Sequence, residues 1–341
     1  MNEVTAKKTY SKFGFTYTAM YWVYVACVAL FLLVRNVFLS EGSLGSQAQM
    51  LIYFGIRFVI IYPVMYLLIR KLPKFTIEKK KLGVGGFIAC LFITYFLMVA
   101  ANVVGMMLNS AIGNATGNGA VNPLIDIVDD MSPVVMVICA AVIAPIWEEL
   151  LFRKFLIDRV VNYGEVTAML MSGLMFGLYH GNLAQGTYAF AIGCFLAFIY
   201  MRTGKIGYTI AIHMCINGFS TYLTKFMLKG INISEMQGYL LNGDMEGYMN
   251  FVEENMAALA GLALVGMLII LVVIVGLILT IVLFKKFVFE HHEEEIAKGN
   301  RFKTAVLNPG MILFIVYWIV AIIMTQLGVS VVDTFLSQLG G

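Results

Sequence analysis

Residues 256–284 contain no Asp, Glu, Lys or Arg, and at 1.5 Å per residue a helix of that length outruns the roughly 30 Å hydrocarbon core of a bilayer. Lipid offers no water to bond exposed peptide groups, so a chain built from such runs must be helical wherever it spans. Comparable apolar runs occupy residues 16–39, 50–70, 83–108, 166–180, 187–202, 206–228 and 305–327, with a further one starting at 132. The pattern predicts an all-α, polytopic transmembrane helical bundle of about nine spans. The span at 256–284 exceeds the bilayer and predicts tilt.

Composition agrees: 60% of residues are hydrophobic and 13% charged, and the mean hydropathy is +0.87. A soluble globule is excluded, and the lipid bilayer is the first partner. A net charge of +3 is too small to imply nucleic acid, and the information lies in where the charges fall. Arg70, Lys71, Lys74, Lys79, Lys80 and Lys81 form the strongest basic cluster. Together with Arg153, Lys154 and Arg159, with Arg202 and Lys205, and with Lys285, Lys286, Lys298, Arg301 and Lys303, they mark the cytoplasmic side. Acidic residues alternate with them: Asp126, Asp129 and Asp130 within loop 109–130, and Glu235, Asp244, Glu246, Glu253 and Glu254 within loop 230–254. This frame puts the N-terminal tail, with Lys7, Lys8 and Lys12, in the cytoplasm. The first span is long and lacks a small-residue cleavage site, so it reads as an anchor and not as a removable signal peptide.

Three stretches follow from this order: 1–130 with the first spans and loops, 131–229 with the polar motifs described next, and 230–341 with an external loop and the last spans. The absence of an organelle signal points to a prokaryotic plasma membrane. Cys27, Cys90, Cys139, Cys194 and Cys215 all fall in predicted spans without a CxxC pair, so neither a disulfide framework nor a thiolate metal site is expected.

Ionisable residues at membrane depth cost several kcal/mol and mark candidate function. The fourth run holds Glu148 and Glu149 side by side, with Arg153 four residues on. Glu149 and Arg153 share a helix face, while Glu148 points about 100° away. The spacing therefore predicts a local ion pair for Glu149 and leaves Glu148 free. Pro145 removes a backbone donor just before the acids and predicts a kink. Phe176 with His180, and His213 with Asn217, are two further pairs spaced four apart. Arg57 lies midway along the second run with no evident partner, and His291 and His292 beside Glu293, Glu294 and Glu295 read as a solvated loop more readily than as a metal tract.

Taken in order, Glu148-Glu149-x-x-x-Arg153, Phe176-x-x-x-His180 and His213-x-x-x-Asn217 resemble the EExxxR, FxxxH and HxxxN motifs of the CAAX protease and bacteriocin-processing (CPBP, or Abi) family of intramembrane endopeptidases. All three match without substitution, over about residues 133–228. The resemblance implies a glutamate-dependent endopeptidase acting on a membrane-associated protein or peptide. Glu148, assisted by His180, would activate water; His213 and Asn217 would bind the oxyanion; Glu149, Arg153 and Phe176 would support them. No cofactor is implied on that reading.

Zinc is the alternative, held by Glu148, His180 and His213, because two histidines and a carboxylate form a known catalytic set. The HExxH arrangement is absent and Asn is a poor zinc ligand, which favours glutamate-activated water. Outside proteolysis, the acids could serve a transporter as a proton relay, or the chain could be a silent immunity or membrane-binding protein. A transporter should show internal repeats, and the sequence has none. One tension remains: ideal spans put His180 about 21 Å and His213 about 10 Å from the cytoplasmic side. Tilt, a recessed turn at 162–165 or a shifted start of the fifth span must close that gap.

Overall fold

The computed structural model describes residues 2–38, 44–117, 132–223 and 231–329. Among them every regular element is helical. In chain order these are α1 (Asn2–Phe38), α2 (Ser46–Ile69), α3 (Val84–Thr116), α4 (Pro133–Tyr163), α5 (Glu165–Tyr179), α6 (Leu183–Thr203), α7 (Ile206–Tyr222), α8 (Ile233–Asn242), α9 (Met245–Glu254), α10 (Met256–Val282), α11 (Arg301–Ala305) and α12 (Pro309–Gln326). Seven of the described helices, α1 to α4 with α6, α10 and α12, are long and apolar enough to cross a membrane. The expected fifth and seventh spans are the shorter helices α5 and α7. Residues 224–228, where the seventh was expected to end, lie outside the described residues, as do Asp126, Asp129 and Asp130.

Four boundaries differ from the sequence expectation. The lysine-bearing tail is the start of α1, held in helix because Ala6, Tyr10 and Phe13 are fully buried. Helix α3 continues through most of 109–117, and α6 begins inside the expected turn at 181–186 because the Asn182 side chain accepts the Gln185 amide at 2.8 Å. The expected loop 230–254 holds α8 and α9. Asn232 caps the first through the Glu235 amide at 3.0 Å, and Asp244 caps the second through the Gly247 amide at 2.9 Å.

Helices α1 and α12 cross where Gly14 meets Gly310. A Cβ on Gly14 would run into the Gly310 carbonyl, and one on Gly310 into the Ser11 carbonyl. The Gly310 amide donates to the Ser11 hydroxyl at 3.0 Å. Around this crossing Tyr10, Phe13, Tyr17, Phe314 and Trp318 are buried, and Tyr17 continues inward to Phe152 at 5.4 Å between ring centroids. Gly14→Ala is expected to lower the melting temperature of the detergent-purified protein and its monodisperse yield, since overpacking against backbone costs at least about 1–3 kcal/mol. An unchanged melting curve would refute this crossing.

The basic segments converge on one end of the bundle. The Phe75 amide donates to the Asp158 carbonyl at 2.6 Å, the Lys80 amide to the Thr203 carbonyl at 2.9 Å, and Arg202 pairs with Glu290 at 2.9 Å. Asn300 reaches Glu3 at 3.1 Å, so the start of α1 belongs to this end too. At the opposite end Gln326 bonds Asn109 at 2.7 Å, and Thr325 bonds the Gly181 carbonyl at 3.2 Å. Among the described residues, these contacts group segments 75–80, 158, 202–203, 290 and 300 at one end and residues 109, 181 and 325–326 at the other.

A strap, residues 284–300, closes the basic end. The Glu290 amide donates to Glu165 at 2.7 Å, Asn162 to Glu294 at 3.1 Å, and the Ile296 amide to the Tyr163 carbonyl at 3.1 Å. Arg202 also pairs with Glu165. The turn into α5 passes through Gly164 at φ 132°, a conformation that suits glycine. Because the strap covers that turn, α5 begins recessed inside the protein, with Glu165 3% exposed.

Candidate active site

The acid pair sits where α4 departs from regular α geometry. Residues Val137–Ile143 and Leu150–Phe155 are π-helical, flanking Ala144–Glu149. Pro145 follows the first π segment by two residues, and Pro63 stands in the same relation to the π segment Ile56–Ile61 of α2. A proline in a span frees a carbonyl, and local π adjustment with help from neighbouring helices satisfies it. Where a kink was expected at Pro145, the structure has this π segment just before it. Side chains from other helices bond the carbonyls of these segments: Asn217 donates to Ala140 at 2.9 Å, Tyr17 to Leu151 at 2.8 Å and Ser172 to Phe152 at 2.7 Å.

Glu149 and Arg153 form the ion pair their spacing predicts. Arg153 Nε lies 3.3 Å from Glu149 Oε2, with both side chains fully buried. The guanidinium nitrogens find no hydrogen-bond acceptor, and the guanidinium carbon lies 4.3 Å over the Phe176 ring. Charge and the aromatic face hold this cation.

His213 stands between the two acids. Its Nδ1 is 2.9 Å from Glu149 Oε1, and its Nε2 is 3.6 Å from Glu148 Oε2. Glu148, at 19% side-chain exposure, is the open member of the pair, whereas Glu149 is closed off. A carboxylate already paired with arginine accepts a hydrogen bond, so His213 donates from Nδ1 and directs Nε2 toward Glu148.

His180 is oriented in the same way. Its Nδ1 lies 2.8 Å from the Phe176 carbonyl. A carbonyl can only accept, so Nδ1 carries the hydrogen and Nε2 is the acceptor of the neutral ring. Phe176 is the hub of the cluster, with ring centroids 4.8 Å from His180, 5.7 Å from His213 and 5.3 Å from Phe152. The recessed start of α5 brings both histidines to this one ring and removes the depth conflict.

Close backbone packing of α5 on α6 makes room for this arrangement. A Cβ on Gly177 would meet the Gly186 carbonyl, and a Cβ on Gly193 would meet Phe176 and the Arg153 guanidinium. Sequence reasoning missed Thr209, which is fully buried one turn before His213 and stands beside Glu149. The spacing 209, 213, 217 was the available signal.

Among the described residues no three His, Cys, Asp or Glu side chains converge at metal-ligand spacing. Glu148, His180 and His213 are accordingly not gathered at metal-ligand spacing in this arrangement. His291 bonds Glu295 at 2.6 Å, His292 lies 3.5 Å from Glu165, and Arg301 pairs with Glu295. Hydrogen bonding from His291 holds the Glu295 carboxyl below its usual range, with Arg301 adding to the effect. These are ion pairs of the strap. Arg57, without a partner in the sequence reading, lies over Tyr24 at 4.6 Å.

A helical membrane fold in which two glutamates, two histidines and an asparagine sit on three successive motif-bearing helices, with Glu149 and His213 buried and Glu148 partly open, defines a candidate intramembrane hydrolase. Residues 130–219 match the family model described as "Type II CAAX prenyl endopeptidase Rce1-like". The chain is also 26% identical over 186 residues, 53% of its own length and 73% of the other's, to the protein named "Putative membrane peptidase YdiL" of Bacillus subtilis (strain 168). No solved structure matches. The resemblance carried by the three motifs is therefore shown, and with it the class, a membrane endopeptidase of the CAAX-protease kind.

Proposed function

We propose that this chain hydrolyses a peptide bond in a membrane-associated protein or peptide, a prenylated CAAX tail being the substrate class that the family description suggests, with water activated by Glu148. The observation that carries this reading is His213 held between a buried carboxylate at 2.9 Å and a partly open one at 3.6 Å. Two carboxylates against one guanidinium leave one negative charge, which a single proton near Glu148 and His213 Nε2 balances.

In the reaction Glu148 takes a proton from water, assisted by the acceptor Nε2 of His180, and the hydroxide oxygen bonds the scissile carbonyl carbon. The carbonyl oxygen becomes an oxyanion, for which protonated His213 Nε2 and the second amide hydrogen of Asn217 are the donors. The C–N bond then breaks, and Glu148 returns its proton to the leaving amine. Glu149, Arg153 and Phe176 hold His213. The distribution of Lys and Arg assigns the basic end, and the start of α1 with it, to the cytoplasm.

Asn217→Ala tests the oxyanion donor. One amide hydrogen already bonds Ala140, so the variant loses an oxyanion donor and also leaves that carbonyl unpaired. The expected result is a hundred- to a thousand-fold lower rate, of the order seen for one oxyanion donor, with a lower melting temperature. Full activity would remove Asn217 from the site.

The experiment that tests the function itself is peptide profiling of membranes from cells carrying the wild type or Glu148→Gln. Uncleaved substrates are expected to accumulate in the variant. Identical profiles would overturn the proteolytic reading in favour of a silent membrane-binding protein.

A further inference from the structure

Arg57 is a cation in the middle of a membrane-spanning helix that contains no acid. Among the described residues it makes no ion pair within 4.0 Å. Its surroundings are tyrosines: the guanidinium carbon lies 4.6 Å over the Tyr24 ring, and Tyr21, Tyr62 and Tyr179, on α1, α2 and α5, are near enough to interact with it electrostatically. One cation–π contact is a weak counterpart for an arginine at membrane depth. Such residues ordinarily face a partner or a functional cavity, and Arg57 keeps part of its surface exposed. It also sits in the π segment Ile56–Ile61, a distortion that occurs often at functional sites.

The cage adjoins the acid pair. Tyr62 packs on Trp147 at 5.9 Å between ring centroids, and it interacts electrostatically with Tyr179, Arg57 and Glu148. Trp147 and Tyr179 immediately precede Glu148 and His180 in the chain. The Tyr62–Trp147 contact thus joins the surroundings of Arg57 to the helical turn that carries Glu148.

We propose that Arg57, in its cage of Tyr21, Tyr24, Tyr62 and Tyr179, is the receptor for the terminal carboxylate of the peptide whose bond lies at Glu148. A guanidinium fork matches a carboxylate in a bidentate manner, and tyrosine hydroxyls add neutral donors around it. The bound carboxylate supplies the negative charge that Arg57 lacks. A substrate cut near its own C-terminus, as a CAAX tail is, brings that group within a few residues of the scissile bond, at roughly 3.3 Å per extended residue. This inference rests on the proteolytic reading and adds the rule by which the site would measure its substrate from the end.

The probes are three fluorophore-labelled farnesylated CAAX peptides, one ending in a free carboxylate, one in a carboxamide, and one in a carboxamide with Asp as its last residue. Binding is read by fluorescence anisotropy on detergent-purified Glu148→Gln protein, which retains the site without cleaving. The free acid is expected to bind at least tenfold more tightly than the plain amide. Adding Arg57→Met should bring the acid to the affinity of the amide, and Arg57→Lys should restore part of the difference.

Equal affinity for acid and amide overturns the proposal without any Arg57 variant, so a misfolded variant cannot protect it. A preference that survives Arg57→Met, or no binding of any probe, overturns it as well. Tight binding of the Asp amide alone reassigns the cage to acidic side chains. Cleavage of the acid peptide by wild type is followed in parallel. Cleavage without acid preference sinks this inference alone, whereas acid-selective binding without cleavage sinks the proteolytic reading alone.

Discussion

Glu148→Gln is expected to abolish peptide hydrolysis by the purified protein while leaving its folded yield unchanged. The side chain keeps its shape, its nearest charged partner is His213 at 3.6 Å, and it retains 19% exposure, so the amide leaves no tightly bound buried group unpaired. What disappears is the base. General-base catalysis is worth about a hundred- to ten-thousand-fold, and with the attacking hydroxide no longer generated beside the carbonyl the residual rate should fall below detection. The readout is cleavage of an internally quenched peptide, with melting temperature as the control. Retained cleavage would show that Glu148 is not the base. The zinc alternative gives a different pattern: chelators would inactivate the wild type, and His180→Ala or His213→Ala would strip stoichiometric metal from active protein. Full activity of metal-free enzyme is the matching result for glutamate-activated water.

Arg153→Ala is expected to act on folding before it acts on chemistry. It leaves Glu149, whose side chain is fully buried, as an uncompensated charge, a change that costs about 3–5 kcal/mol when one partner of a buried pair is removed. That is a large share of the roughly 5–15 kcal/mol that stabilises an ordinary fold. Loss of the guanidinium also empties the space over Phe176, the ring on which both histidines rest. The expected outcome is a sharp fall in monodisperse protein, with activity lost in proportion or beyond. Adding Glu149→Gln should recover part of the yield, because the orphan charge is then gone, but not the activity, because His213 loses its ionised anchor. Arg153→Ala protein as abundant and heat-resistant as wild type would show that the ion pair contributes nothing to the fold.

The membrane class, the helical fold and the three motifs were legible because they are properties of one segment at a time. Apolar runs of bilayer length have one backbone solution, and residues four apart share a face wherever the helix ends up. That is why the Glu149–Arg153 pair was found at its predicted spacing. The caps at Asn182, Asn232 and Asp244 were equally local and could have placed α6, α8 and α9, but loop polarity masked them.

What sequence spacing alone left open was how the helices meet. The family resemblance paired Glu148 with His180, while the bundle places His213 between the two acids and Phe176 under both histidines. Asn217 was expected to donate to the oxyanion, and one of its amide hydrogens is fixed on Ala140 within a π turn that no hydropathy pattern announces. Arg57 had no partner on its own helix and acquires its tyrosines from α1 and α5 as well as α2. Periodicity orients side chains around a helix axis, but rotation and depth between axes depend on where backbones can touch. Here those points are Gly14 against Gly310 and Gly177 against Gly186, and the strap covers the start of the helix that carries Phe176 and His180.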